Sequence, residues 1–356
     1  MSLTIELENI KDEVEKWLAR VHYKDALYAY NVHASRSYAL ESSCSAVRVS
    51  NEIGLLARLS STEIERLADG IRAFQNADGV FRDPLVKEED RVNKSHPWQK
   101  IYDHMTGVAL QTLALLGTSP AVKQKPPPLF DIAELDPEEW VRSFDHRNNP
   151  WGCCHNIAFS LLAYRRANGL ENELDEKARI CYRLIETELL NEVDGMPGAV
   201  DVAQGRRIAG YYMLTFCYLP FNRPLPNPES AVDAILSAAT SEGEISEGGM
   251  CLNWDAAYVL NSICSELNWE YRHEEVLQLL RQLSRFLLTV HRKSDGGFSF
   301  YRDTCLEQHN FIRVSDPLPE SDMIGTAMAV ATLQIAAAIE NKHRHETHLD
   351  PWMKSG

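Results

Sequence analysis

The feature that most narrows what this chain can fold into is an alternation of two kinds of helix-forming segment. Apolar residues recur at i, i+3, i+4 and i+7 through stretches such as Ile64–Phe74, Ala178–Leu190 and Val276–Val290, the period of a helix and not of a strand. Six segments are amphipathic and charged: 3–19, 61–75, 137–146, 174–191, 229–240 and 271–291. Six others, 42–59, 99–116, 152–168, 206–219, 251–267 and 322–339, are poor in charge and rich in small and apolar residues. A helix with one wet face lies at a surface, and one that is apolar nearly all round is buried. Strict alternation of six of each predicts an all-α fold, an (α/α)6 toroid of six outer–inner helical hairpins with the uncharged set inside. Residues 1–342 are expected to form a single domain and 343–356 a flexible C-terminal tail.

The junctions support this reading. Outer segments run into inner ones through glycine-bearing turns: Gln75-Asn-Ala-Asp78-Gly79-Val-Phe81, Asn149-Pro150-Trp151-Gly152, Asp194-Gly195-Met196-Pro197-Gly198, Glu247-Gly248-Gly249 and Ser294-Asp295-Gly296-Gly297-Phe298. Glycine accepts the left-handed backbone that ends a helix. The loops 81–97 and 298–320 are long, and long ordered loops often carry function.

Composition excludes several classes of function. At 44% hydrophobic residues the chain is too apolar to be mainly disordered. No stretch approaches the roughly 20 apolar residues of a membrane span. The formal charge of −15 argues against nucleic acid and anionic membranes as partners, since both demand a basic surface. The partner expected is a small-molecule substrate, and the oligomeric state is not legible. Eight cysteines without a Cys-x-x-Cys pair, and no charged-then-apolar opening segment, predict reduced thiols in a cytoplasmic protein without structural zinc.

The turn Gln75-x-x-x-Gly79-x-Phe81 resembles the Gln-x-x-x-Gly-x-Trp repeat of squalene-type terpene cyclases, and Asp295-Gly296-Gly297-Phe298 resembles turns of those cyclases and of protein prenyltransferase β subunits. The resemblance implies the toroid and an isoprenoid-like substrate. The cyclases protonate their substrate with an Asp-x-Asp-Asp or Asp-x-Asp-Thr-Ala element. Here the nearest string is Glu320-Ser-Asp322-Met-Ile-Gly-Thr326-Ala327-Met328, which keeps the Thr-Ala-Met end and one displaced acid. The prenyltransferases hold zinc with an Asp-x-Cys pair and a histidine. Asp303-Thr304-Cys305 with His309 matches that bare pattern but lacks the aromatic residues that follow it, and is read as loop residues without metal.

In a toroid the inner helices all run the same way, so their N-termini open on one rim. Polar residues recur at those starts. The candidate catalytic groups are Asp255 as main acid, Asp322 and Asp103 as supporting carboxylates, and His104 and His155 as proton relays. The candidate substrate-binding residues are Tyr102, Trp151, Arg206, Tyr211, Asn253, Trp254 and Glu320. Each has a plainer alternative. Asp322, before an apolar helix, also fits an N-cap. Asp255 could pair with a basic neighbour, and either histidine could be a hydrogen-bonded core residue. The function expected is a terpenoid-cyclase-like activity on an isoprenoid-derived or largely apolar substrate. It would use acid–base chemistry without metal or other cofactor, Mg²⁺ entering only if the substrate is a diphosphate. The alternatives are a carbohydrate-active lyase, hydrolase or epimerase on the same fold, and a non-catalytic binding protein with a degenerate site.

Overall fold

The computed structural model describes residues 3–33, 39–92, 94, 98–122, 132–170, 173–245 and 249–351. Residues 352–356 of the expected tail, and part of the turn expected at Glu247-Gly248-Gly249, lie outside the described residues. Helices dominate: α1 (Leu3–Val21), α2 (Ala39–Glu52), α3 (Ser61–Arg72), α4 (Trp98–Leu115), α5 (Pro137–Arg142), α6 (Pro150–Ala167), α7 (Glu176–Leu184), α8 (Gln204–Tyr218), α9 (Pro228–Ala238), α10 (Met250–Glu266), α11 (His273–Phe286) and α12 (Met323–Glu340). Two small antiparallel hairpins, β1 (His22–Lys24) with β2 (Leu27–Tyr28) and β3 (Gln308–His309) with β4 (Ile312–Arg313), are the paired strands among the described residues. The fold class is all-α, as the periodicity implies.

The two kinds of segment become two kinds of helix. The even-numbered helices are the charge-poor set, and α10 is buried without a break from Asn253 to Cys264. The odd-numbered set shows one wet face, and in α3 only Ala68 and Ile71 are buried. A capping box starts α3, with Ser60 and Glu63 satisfying each other's backbone N–H. α2 stops at Glu52 and not near 59, because Gly54 turns left-handed at φ +75° and Leu56–Arg58 tightens into a 3-10 turn. α12 is long and apolar enough by composition to cross a membrane, yet 78% of it is buried within the protein.

Packing divides the chain into two compact units, one of residues 1–125, 284–337 and 346–355, the other of 126–283 and 338–345. In the first, the β1–β2 hairpin docks on α2 through Tyr28 N–H to Ser43 Oγ (3.0 Å) and Ser42 Oγ–H to Tyr28 O (2.6 Å). In the second, α8 is the central element, flanked by α6, α9 and α10. The stretch expected as a tail is packed as far as Asp350: Thr347 and Asp350 are buried, and Asn261 bonds the backbone of His345 in both directions.

One local device recurs at four outer–inner junctions. An isolated antiparallel bridge closes each turn, joining Gln75 to Phe81, Leu190 to Pro197, Ala239 to Ile245 and Arg292 to Phe298. Each turn contains a left-handed glycine, respectively Gly79, Gly195, Gly243 and Gly296. At the third of these junctions the bridge closes around Gly243; of the turn expected at Glu247-Gly248-Gly249 only Gly249 is among the described residues, at φ +65° before α10. The last residue of each bridge is pinned by a side chain of the following inner helix. Phe81 N–H donates to Thr106 Oγ1 (3.0 Å), Ile245 N–H to Asn253 Oδ1 (2.8 Å) and Phe298 N–H to Thr326 Oγ1 (2.9 Å). Pro197 has no N–H, and there the polarity reverses: Arg207 Nε–H donates to Pro197 O (3.0 Å). Arg207 is buried and also pairs with Asp194 through both terminal nitrogens (2.5 and 2.7 Å), Asp194 being held below its usual carboxylate range by this pairing.

Candidate functional site

The first unit gathers a carboxylate and two imidazoles from three separate parts of the chain. Glu41 lies in the first turn of α2, His104 on α4 and His309 at the end of β3. Glu41 Oε1 stands 2.9 Å from His104 Nε2 and 3.0 Å from His309 Nδ1. The Glu41 side chain is 1% exposed and that of His104 39%, so a buried anion stands behind a solvent-facing ring. Burial alone would raise the Glu41 carboxyl, but the two imidazoles outweigh it and hold the group well below its usual range. The two rings meet edge to face at 5.5 Å.

The loop that supplies His309 is held under strain. The β3–β4 turn places Asn310 at φ +46° and Phe311 at φ +66°, the two-residue geometry that suits a twisted hairpin. A bulky residue there is costly, about 1–3 kcal/mol. The turn is tied down by Asn310 Nδ2–H to Ile101 O on α4 (3.3 Å), by Val92 N–H to Phe311 O (2.9 Å), and by Lys100 over the Phe311 ring (5.2 Å). Neither Glu41 nor His309 stood among the expected site residues. The signal for Glu41 was an acid in the first turn of a charge-poor inner helix. His309 was noticed only beside Asp303 and Cys305, whereas Cys305 Sγ is buried and bonds Ser315 Oγ (3.3 Å) and Asp316 O (3.1 Å).

The other expected residues of this unit are occupied structurally. Asp322 is the N-cap of α12: its Oδ1 accepts from Gly325 N–H (2.7 Å), and its Oδ2 from Phe300 (2.7 Å) and Leu306 (3.0 Å) N–H. It is fully buried, and burial raises its carboxyl to about 6 against the opposing pull of those amides and of His309. The cap alternative is the one realised, and the carboxylate organises the 298–320 loop. Gly325 makes the approach possible, since a Cβ there would lie 2.5 Å from Phe300 N. Asp103 accepts from Gln99 (2.7 Å), and burial raises its carboxyl. Tyr102 stacks on Trp98 (5.4 Å, 14°) beneath Arg82 (5.0 Å). Glu320 pairs with His33.

The second unit contains Asp255, His155, Tyr102's counterparts among the rings, and the remaining candidates. Asp255 is 6% exposed, and no hydrogen bond or ion pair reaches it among the described residues. Burial alone drives its carboxyl well above the usual range, which favours the protonated form. Helical spacing puts Asp255 on the face of α10 that carries Cys251 and Leu252, both partly accessible, and Tyr258. Tyr258 belongs to a continuous series of rings: Trp151–His155 (5.6 Å), His155–Phe159 (4.9 Å), Phe159–Phe216 (4.9 Å, stacked), Phe216–Tyr212 (5.3 Å), Tyr212–Tyr258 (5.4 Å) and Tyr258–Trp254 (5.6 Å). Its α6 portion reaches solvent: Trp151 is 43% exposed, and His155 and Phe159 are half-buried at successive turns. Asn253, expected to bind substrate, instead pins the Ile245 turn. Tyr211 O–H donates to Pro226 O (2.7 Å) with its ring buried, which removes it from a binding role. Arg206 is exposed.

No family model matches the sequence. No curated protein matches it either. Solved structures do match over nearly the whole chain. One is an inactive variant of the alpha-1,6-mannanase GH76A of Salegentibacter sp. HEL1_6 in complex with alpha-1,6-mannotriose. It is 11% identical at a TM-score of 0.50, covering 94% of this chain and 99% of that one. A second inactive variant of that enzyme, with alpha-1,6-mannotetrose, is 10% identical with the same TM-score and coverage. A glycosyl hydrolase of family 88 from Bacteroides vulgatus matches at 11% identity and TM-score 0.49, covering 96% and 99%. The likeness to the mannanase establishes the fold class as the α/α toroid. It also corrects the terpenoid-cyclase-like reading: the structures matched at a TM-score of 0.50 are variants of an alpha-1,6-mannanase and not terpene cyclases. Glycine-bearing turns close outer–inner junctions whatever the cavity holds, so the resemblance carried the fold and not the chemistry.

Proposed function

We propose that this protein is a carbohydrate-active enzyme that cleaves a glycosidic bond, with Asp255 as proton donor. The observation that carries the reading is the setting of Asp255, a buried carboxyl with no bonded partner among the described residues, whose burial favours the protonated form. A glycosidic oxygen is a poor leaving group until it is protonated, and an acid kept neutral by its surroundings supplies that proton. The partly exposed rings of Trp151, His155 and Phe159 offer flat apolar faces of the kind that stack on sugars. The mannanase neighbours, solved with mannotriose and mannotetrose, agree with an oligosaccharide as ligand.

Two features narrow the substrate. The net charge of −15 and the commitment of Arg207 to Asp194 and Pro197 disfavour a polyanionic uronate and favour a neutral glycan. Hydrolysis is thereby favoured over the eliminative cleavage of uronates. The inactive mannanase variants are altered at two successive aspartates, and this sequence contains no two successive aspartates, so the mannanase's own reaction is not carried over.

The test is a screen of neutral manno-, gluco- and galacto-oligosaccharides, with a uronate panel beside it, read by chromatography of the released sugars. Cleavage of a neutral glycan that disappears in Asp255→Asn, while the circular dichroism is unchanged, is expected. Undiminished cleavage by Asp255→Asn, or turnover confined to uronates, overturns the assignment.

A further inference from the structure

We propose that Glu41, His104 and His309 form a binding site for a divalent transition-metal ion of the zinc class. Their ligand atoms, one carboxylate oxygen and two ring nitrogens, all lie within 4.8 Å of one another. Four-coordinate zinc with nitrogen and oxygen ligands at about 2.0–2.2 Å sets neighbouring ligand atoms about 3.3 Å apart. The separations from Glu41 Oε1, 2.9 and 3.0 Å, sit a few tenths of an ångström inside that value, and the third lies within 4.8 Å. An ion of this class would draw the three ligand atoms to that spacing by adjustment of their side chains.

A second observation points to an absent ligand. Glu41 Oε2 is buried and has no hydrogen-bond partner among the described residues. Its carboxylate faces the two imidazoles, and the other oxygen already serves both. His309 Nδ1 is likewise buried, 3.0 Å from Oε1 but without the alignment of a hydrogen bond. A buried carboxylate oxygen left unpaired costs several kcal/mol in an apolar medium, and a cation between the three groups would remove that cost. Two imidazoles and one carboxylate suit zinc and its neighbours in the first transition row; calcium and magnesium take oxygen ligands instead.

The exposure of His104 leaves one side of the site open to water, so three protein ligands would leave a coordination position free, as in catalytic rather than structural zinc sites. The strained β3–β4 turn and its anchor on Ile101 hold His309 against α4, which accounts for keeping a costly backbone at Phe311. This proposal concerns residues of the first unit and does not depend on Asp255 or on the glycan reading.

The experiment is calorimetric titration of the chelator-stripped full chain with Zn²⁺ alone, repeated with Mg²⁺, and Co²⁺ substitution followed by visible absorption. Expected is one Zn²⁺ per chain, a Co²⁺ spectrum of nitrogen and oxygen ligation, and at least about tenfold weaker binding in both His104→Ala and His309→Ala. His146→Ala serves as a histidine control and is expected to bind like the parent. His104 is the more exposed ligand, so His104→Ala keeps the test decisive if Glu41→Gln fails to fold. No stoichiometric Zn²⁺ binding, parental affinity in either of the two histidine variants, binding of Mg²⁺ in preference, or thiolate bands in the Co²⁺ spectrum would each overturn the proposal.

Discussion

Replacing Asp322 should damage folding before it touches any chemistry. Its two oxygens accept three backbone N–H groups, from Gly325 on α12 and from Phe300 and Leu306 in the loop, all three bonds being buried. Asp322→Ala leaves three orphaned donors. Each costs about 1–3 kcal/mol when buried, about 3–9 kcal/mol together. The 298–320 loop can shift to admit water to Leu306, so about 3–5 kcal/mol is expected to survive relaxation. Asp322→Asn keeps one acceptor oxygen, which can still serve the two loop amides, but turns its NH₂ towards Gly325; about 1–3 kcal/mol follows. At about 2–4 °C per kcal/mol, Asp322→Ala should melt roughly 6–20 °C below the parent, with Asp322→Asn between them. The assay is thermal unfolding by circular dichroism near pH 8, above the value of about 6 to which burial raises this carboxyl, so that the carboxylate is present in the parent. An alanine variant melting within about 2 °C of the parent, or an asparagine variant less stable than the alanine one, would refute the reasoning.

Asp255→Asn should act in the opposite sense on stability. The folded-state pKa lies above the unfolded value of about 3.9, so the folded protein holds the extra proton and this group's contribution falls as pH rises through that value. The asparagine variant escapes this loss. Its Tm should match the parent near pH 4 and exceed it increasingly towards pH 8, whereas a gap that is constant or reversed contradicts a protonated acid. Arg207→Met removes a buried guanidinium from Asp194 and Pro197. Because Asp194 is partly exposed, about 2–3 kcal/mol is expected, below the full cost of breaking a buried pair. Urea unfolding would measure it, and an unchanged midpoint would mean that this junction is held by something else.

The helices were legible because period and charge are local properties, and each of the twelve expected segments corresponds to a helix. The end of α2 was misplaced because Gly54 breaks a pattern that stays apolar to Leu59. The bridge around Gly243 was passed over because Gly248–Gly249 is the louder signal in the sequence. Asn253 and Arg207 read as polar residues at helix starts, which they are. That they pin turns depends on how a helix meets the loop before it, and spacing does not encode that. Asp322 was legible as a cap, since a lone acid before an apolar helix has that meaning. Asp255 stood out as a carboxylate one turn inside an uncharged helix, and its isolation is what the fold added. Glu41 and His309 were beyond reach because their meeting depends on three segments far apart in sequence.

The pinned turns have a consequence for how this chain can change. The hydrogen bond from Ile245 to Asn253 spans 8 residues and that from Arg207 to Pro197 spans 10, but Phe81 to Thr106 spans 25 and Phe298 to Thr326 spans 28. The long loops are thus inserts tied off at the neck. Lengthening a closed loop from 8 to 28 residues costs only about 1 kcal/mol of chain entropy. Sequence between the ties can be exchanged wherever it does not itself hold a helix start, as the Phe300 and Leu306 amides hold Asp322 and as Asp83 holds Leu40. His309 arrives in one such insert and the acidic run Glu88–Asp90 in the other, so new chemistry could be acquired at these two junctions by lineages that leave the helical frame untouched.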